Sequence, residues 1–199
     1  IYYSSNLGLA TKPTFETRDK NYTTTQFYAV ATDNVSGSDY YIGGAQDNGT
    51  QQLRSDLNFS AREVWGGDGA FTHIDQLDRT YQLVSSQRGG VAHSSNGGTS
   101  FRRVTNLGTG NFINQSDYDY SSGILYSAAG DNELGKITDV KTTSPSSEVA
   151  ISVKIGNRQI SAVRANTNTT NTIFVGTEGG QIFKIDDANL AEPSVTDIT

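Results

Sequence analysis

The chain has no cysteine and no methionine, and only three prolines, two histidines and one tryptophan in 199 residues. Without cysteine there is no disulfide framework, no thiol nucleophile and no cysteine-ligated metal. Basic residues are also short: Lys and Arg total 15 against 21 Asp and Glu, a net charge of −6. That balance excludes the phosphate-neutralising surface of a general nucleic-acid binder. No window approaches the ~18 consecutive apolar residues of a spanning helix, so no membrane insertion is expected. No basic stretch followed by an apolar run opens the chain, so no signal peptide is read. A chain that opens on Ile1 rather than Met is expected to be a processed chain or an excerpt.

Polar uncharged residues fill the place of the missing types. Ser, Thr and Asn make up about 59 of the 199 residues, beside ten Tyr and 21 Gly. Thr and Tyr favour strands, while Asn, Ser and Gly favour turns. Aromatics at 10% and short, regular apolar runs separate the chain from a disordered one. No window sustains a helical period. These features predict an all-β fold, with the whole length forming one domain or a piece of a larger one.

An internal repeat narrows the fold. Several segments read as a short apolar strand, a Gly-containing tight turn and a second short strand: YYIGGAQDNGTQQL, YQLVSSQRGGVAHS, ILYSAAGDNELGKITDV, TIFVGTEGGQIFKID and the opening IYYSSNLGLA. Aligning Gly8, Gly49, Gly90, Gly135 and Gly180 gives spacings of 41, 41, 45 and 45. Glycine suits these places because two-residue hairpin turns need positive φ. A period of ~40–50 residues built from short strands marks a β-propeller blade. Apolar alternating stretches at 26–31, 70–74, 111–114 and 159–163 are the expected innermost strands, and 148–155 and 194–198 expected outer ones. The predicted organisation is a partial blade over 1–24 and four-stranded antiparallel blades over about 25–68, 69–110, 111–157 and 158–199. The four to five units form an arc of a larger ring, a five-bladed ring or a four-bladed ring. The chain reads as opening on the second strand of a blade.

The stretch SSNGGTSF carries Ser94, Asn96, Gly98, Ser100 and Phe101 at the spacing of the Asp-box turn, with Asn in place of the usual Asp. The Asn amide oxygen can still accept backbone N–H groups, so the turn is expected to hold. With TQFYAVATD, YYIGGAQDNGT and VWGGDGAFTHIDQLD, this ordered series over most of residues 1–140 resembles the sortilin-like and xyloglucanase-like propellers with BNR/Asp-box repeats, as found in secreted bacterial surface proteins. The resemblance implies that the Asp-box lies between the third and fourth strands of a blade, away from the centre, with a structural role. Sortilin-type relatives bind peptides inside the ring; xyloglucanases cut β-glucans with two Asp residues.

Glycoside hydrolysis needs two carboxylates flanking one bond, roughly 5–10 Å apart. By resemblance, one xyloglucanase acid falls near Asp68 in GGDGAFTHID, a weak catalytic candidate. The place of the other reads Ser5-Asn6-Leu7-Gly8, where Asn6 has no carboxylate. The nine arginines do not form a sialidase-type start. Candidate ligand-binding residues are Asp47, Asn48, Trp65, Asp68, His73 and Arg88. Each has a plain reading beside the functional one: Asp47 and Asp68 as acceptors for Gly-turn N–H groups, Trp65 as core, Arg88 as a solvated hairpin tip. His73 and His93 match no zinc spacing; calcium on the Asp-rich DYDY segment at 117–120 is an open alternative that the ligand count does not support, and the expectation is no metal and no cofactor. Asn-x-Ser/Thr triplets at Asn21, Asn34, Asn48, Asn58, Asn114 and Asn168 matter only in a eukaryotic secretory route.

The expected function is that of a non-catalytic module, secreted or at a cell surface, presenting a rigid scaffold to a protein or glycan. The competing reading is a xyloglucanase-like glycoside hydrolase acting on a β-glucan through paired Asp residues. Expected partners are a protein or carbohydrate ligand and further blades or domains of a longer chain. The composition is that of a bacterial extracellular protein.

Overall fold

A computed structural model describes residues 2–8, 12–17, 24–58, 60–107, 111–130, 132–152 and 159–199. β1 (Tyr2–Tyr3) and β2 (Glu16–Thr17) pair as a two-stranded antiparallel sheet. Four four-stranded sheets follow. Blade one holds β3 (Phe27–Thr32), β4 (Tyr41–Ala45), β5 (Gly49–Leu53) and β6 (Arg62–Trp65). Blade two holds β7 (Gly69–Ile74), β8 (Gln82–Ser86), β9 (Gly90–Ser94) and β10 (Arg102–Asn106). Blade three holds β11 (Ser116–Asp119), β12 (Ile124–Gly130), β13 (Glu133–Thr138) and β14 (Ser146–Ser152). Blade four holds β15 (Ile160–Ala165), β16 (Ile173–Thr177), β17 (Ile182–Asp186) and β18 (Ser194–Asp197). Within each sheet the strands lie in chain order and antiparallel, as short turns between consecutive strands dictate. Among the described residues no helix is long and apolar enough to cross a membrane.

The hairpins between second and third strands turn on left-handed residues. Asp47 and Gly49 (φ 59° and 63°) serve blade one, Arg88 and Gly89 (58° and 74°) blade two, and Gly180 (80°) blade four. Two expectations need correction in blade three. Its turn falls before Gly135 as expected, but Asn132 (φ 67°), a residue type that tolerates this region, takes the left-handed place expected of a glycine. Gly135 lies inside β13, where a Cβ would stand 3.1 Å from Leu107 and 3.3 Å from Ala129, so it is a packing glycine. The innermost strand is Ser116–Asp119 rather than 111–114. The outer strand expected at 148–155 is Ser146–Ser152, and residues 153–155 of that expectation lie outside the described residues, as does Asn21.

The blades stack face to face, with contacts between innermost strands running β3 to β7, β7 to β11 and β11 to β15. Between blades one and two the backbones nearly touch: a Cβ on Gly44 would lie 1.9 Å from the Ala70 carbonyl oxygen. Here Tyr40, Ile42, Ile74, Val84 and Ala92 form a small core. Leu83, Val91, Tyr118, Leu125, Ile137 and Val140 join blades two and three. The largest core, with Tyr126, Leu134, Ile173, Val175, Phe183 and Ile185, joins blades three and four.

A second repeat closes the inner strands. Asp33, Asp75, Asp119 and Asn166 each stand at or just past the end of an innermost strand. Each accepts the backbone N–H two residues on, from Val35, Leu77, Ser121 and Asn168. These are Asx turns. The three acids also reach the next blade: Asp33 pairs with Arg79 at 3.2 Å, Asp75 accepts from Tyr118 Oη at 2.7 Å and pairs with Lys141 at 3.4 Å, and Asp119 accepts the Asn171 N–H at 2.9 Å.

Candidate functional site

Where the four innermost strands converge they wall a cavity of about 530 Å³. Its sides are Ala29–Thr32 of β3, Phe71–Ile74 of β7, Ser116–Asp119 of β11 with Tyr120 and Ser121, and Arg164 and Ala165 of β15. These positions lie toward the strand ends that carry the Asx turns, so the mouth is bordered by Gln76, Ser121, Asn166 and Thr167. The wall mixes apolar side chains such as Val30, Phe71 and Ile74 with polar and charged ones, among them His73, Ser116, Asp117, Asp119 and Arg164.

The polar groups form one chain across blades two, three and four. His73 Nε2 lies 2.9 Å from Ser116 Oγ, and its Nδ1 lies 4.0 Å from Asp117 Oδ1. Asp117 Oδ2 accepts the Ala165 N–H at 2.9 Å and lies 3.5 Å from Arg164 Nη1. Asp117 Oδ1 accepts the Tyr118 N–H at 3.0 Å. Burial pushes the His73 imidazole down to about 4, against the attraction of Asp117 and with the help of Arg164. The ring is therefore neutral at pH 7. Ser116, His73 and Asp117 carry the residue types of a hydrolytic triad, but 4.0 Å is beyond a hydrogen bond from Nδ1, and Asp117 is already engaged by Arg164 and two N–H groups. Arg164, 78% exposed along its side chain, is the group best placed to meet an incoming ligand.

Of the six residues expected to bind ligand, His73 lies in this cleft and the other five lie at the opposite end of the blades. There Asp68 Oδ1 accepts the Asp47 N–H at 2.9 Å, and the Asp68 N–H donates to Gln87 Oε1 at 2.9 Å. Asn48 Nδ2 donates to the Gln46 carbonyl at 2.9 Å. The Arg88 N–H donates to the Phe112 carbonyl at 2.9 Å, with its guanidinium 6.0 Å from the Phe112 ring centre. Trp65 packs half-buried against the core of blades one and two, with the Arg103 guanidinium 5.8 Å from its ring centre. At this end the turn of one blade is bonded to the segment entering the next, so these polar groups join successive blades.

The Ser94–Phe101 stretch joins β9 to β10, the third and fourth strands of blade two. The N–H groups of Asn96 and Gly98 donate to Ser94 Oγ, the Ser100 N–H donates to Asn96 Oδ1, and Phe101 packs into the core. His93 bonds the Val140 carbonyl at 2.9 Å and stacks on Tyr81, a link between blades two and three. Its imidazole is pushed down by burial, which that hydrogen bond opposes. Among the described residues no cluster of three or more His, Asp or Glu is arranged to hold a metal ion.

Ser116 and Asp117 escape sequence reading as cleft residues because nothing in SDYD marks an innermost strand, and Arg164 stands one residue past the inner strand expected at 159–163. A repeated Asp or Asn at 33, 75, 119 and 166, 42 to 47 residues apart, is the signal that would have located the strand ends and hence the cleft.

No protein-family model matches the sequence, and no curated protein matches it. Solved structures do. The β-propeller domain of Cps50 (Swd1) from Myceliophteria thermophila is similar at 13% identity and a TM-score of 0.60, over 89% of this chain and 56% of that one. An ancestral GH74 enzyme is similar at 12% identity and a TM-score of 0.63, over 87% of this chain and 25% of that one. A functionally unknown protein from Desulfotomaculum acetoxidans DSM 771 is similar at 11% identity and a TM-score of 0.65, over 96% of this chain and 60% of that one. The chain thus spans less than two thirds of each of these structures. At such identities the likeness establishes the fold, a β-propeller arrangement, and nothing about chemistry.

Proposed function

We propose that this chain is a non-catalytic propeller module, secreted or displayed at a cell surface, that binds a protein or glycan segment in the cleft between its innermost strands. The observation that carries this reading is the pairing inside the cleft. Asp117 is held by Arg164 and two backbone N–H groups, and Asp119 by its own turn and the N–H of Asn171. Paired carboxylates orient and recognise, whereas glycoside hydrolysis needs one free to donate a proton and one to attack. A pre-ordered wall of strands also loses little entropy on binding.

The second reading, a xyloglucanase-like hydrolase, draws support from the fold shared with a GH74 enzyme. It rests on Asp68, whose side chain accepts the Asp47 N–H. Glycan and peptide arrays probed with the purified chain separate the two. Saturable binding weakened about tenfold by Arg164→Ala, with no reducing ends released from xyloglucan, is the expected result. Xyloglucan cleavage lost in Asp68→Asn overturns it, and so does the absence of any saturable ligand.

A further inference from the structure

At the end of the blades opposite the cleft, a cavity of about 480 Å³ opens between the end of β6 in blade one and the β8–β9 turn and β10 of blade two. Arg88, Arg103, Ser86 and Gln87 line it beside Trp65 and three glycines, with no acidic residue. The chain carries 21 acidic residues against 15 basic ones, and the guanidiniums of Arg54, Arg79 and Arg164 each meet a carboxylate. Those of Arg88 and Arg103 meet none among the described residues. Each lies instead by an aromatic ring, Arg88 6.0 Å from the centre of Phe112 and Arg103 5.8 Å from that of Trp65. Such contacts orient a guanidinium while its N–H groups stay free to donate.

The neutral groups are donors too. Gln87 Oε1 accepts the Asp68 N–H at 2.9 Å, which leaves Nε2 to donate. Ser86 is 8% exposed, and its hydroxyl has no hydrogen-bond partner among the described residues. A side chain this buried ordinarily has one. A Cβ on Gly90 would stand 2.6 Å from Ser86 Oγ and 3.5 Å from Arg103 Nη1, so glycine keeps open the space that both groups flank. The Gly90 backbone is extended (φ −66°, ψ 123°) and does not itself call for glycine.

Arg88 holds its place at a backbone cost. Its φ of 58° is left-handed, and the matching turn position of blade one holds Asp47 at 59°. Asp tolerates this region, whereas a long side chain is strained there. Arginine at this position brings to the cavity a cation that Asp or glycine would not.

We propose that this cavity binds a phosphate or sulfate monoester. Two forked cations, a hydroxyl and an amide N–H group reach it from different places in blade two. That arrangement suits a tetrahedral anion with three free oxygens better than a planar carboxylate. The volume is that of a small-molecule site and leaves room for the alcohol carrying the group.

Isothermal titration of the chain with phenyl phosphate, phenyl sulfate and phenol tests the site. Saturable binding of one or both esters, with none of phenol, is expected, and the tighter ester identifies the anion. Arg88→Gly and Arg103→Gln should each weaken that binding by about tenfold or more. Arg88→Gly should also leave Tm unchanged or raised, because glycine adopts a left-handed φ freely. Arg102 is exposed and points to the other face of β10, so Arg102→Gln should leave affinity unchanged. Arg164→Ala, which tests the cleft, should leave it unchanged as well, so the two sites can fail separately. Absence of binding by either ester, or equal binding of phenol, overturns the proposal. So does an equal loss in Arg102→Gln, the mark of a general charge effect. A fall in Tm of several degrees in Arg88→Gly assigns Arg88 to the fold and also overturns it.

Discussion

Two interfaces between neighbouring blades solve the same stacking problem with different forces. Blades one and two meet over a small apolar core crossed by a polar relay. Gln52 Nε2 donates to Tyr40 Oη at 2.8 Å and to the Gly98 carbonyl at 3.0 Å, while Tyr40 Oη donates to Gln82 Oε1 at 2.8 Å. Gln82 Nε2 in turn donates to the Arg79 carbonyl. Blades three and four meet over a larger core of Ile, Leu, Val and Phe, with polar links from Lys136 Nζ to the carbonyls of Asn189 and Leu190 and from the N–H groups of Ala165 and Asn171 to Asp117 and Asp119. Each interface has a buried tyrosine. Tyr40 has both its bonding directions used, whereas the Tyr126 hydroxyl has no hydrogen-bond partner among the described residues. At the first interface hydrogen bonds run through the core residues themselves; at the second the core is apolar apart from Tyr126, and the hydrogen bonds involve other residues.

The largest effect should come from the close backbone approach. Gly44→Ala drives a methyl into the Ala70 backbone, an obstacle that no side-chain rotation relieves. It should cost more than the ~1–3 kcal/mol of ordinary overpacking, read as loss of a cooperative unfolding transition or a large drop in Tm. Ile173→Ala opens a cavity between blades three and four at a fully buried site. A loss of ~2–5 kcal/mol is expected in denaturant titration. If Gly44→Ala proves the milder of the two, the interfaces do not differ as described.

Acidification probes both interfaces and the cleft between them. His73 is pushed down to about 4 from an ordinary 6.5, so the unfolded chain takes up a proton first. That contribution is complete above pH 6.5 and is lost as pH falls toward 4. For Asp33, burial raises the carboxyl, but hydrogen bonds from Ser38, Arg79 and Val35 and the Arg79 charge outweigh it. For Asp119 burial is likewise outweighed, by bonds from Ser121, Asn171 and Ser122. Both carboxyls are held below 3.8, so their contribution survives above that value and is lost only as pH falls below it. Unfolding free energy measured from pH 8 to 3 should therefore fall in two stages. His73→Asn should shrink the first stage, which His93 shares, and Asp119→Asn the second, which Asp33 shares. A single stage in all three proteins would contradict the assignment.

The smallest effect reverses the usual sign. Tyr126→Phe removes a buried hydroxyl with no bonded partner and should leave stability unchanged or raise it by up to ~1 kcal/mol. A loss above ~1 kcal/mol would mean that the hydroxyl is bonded after all.

The hairpin turns were legible in the sequence because positive φ restricts residue choice. DNG and RGG turn where expected, and the period followed from them. Gly135 misled because glycine also serves close packing, as it does against Leu107. The inner strand of blade three was misplaced because apolar Phe112 and Ile113 look more like a strand than SDYD does. The acids of SDYD are accommodated because backbone N–H groups of blade four complete them. The cleft is assembled from four strands roughly 40 to 50 residues apart, and only the long-range repeat of Asp or Asn at 33, 75, 119 and 166 marks their meeting in the sequence.

The stacking itself is tested most directly by a double-mutant cycle between Tyr40→Phe and Gln82→Leu, residues of different sheets 42 positions apart joined by one hydrogen bond. Radially stacked blades predict a coupling energy of ~0.5–3 kcal/mol in equilibrium unfolding. Additivity of the two changes within error would mean that these sheets do not face each other.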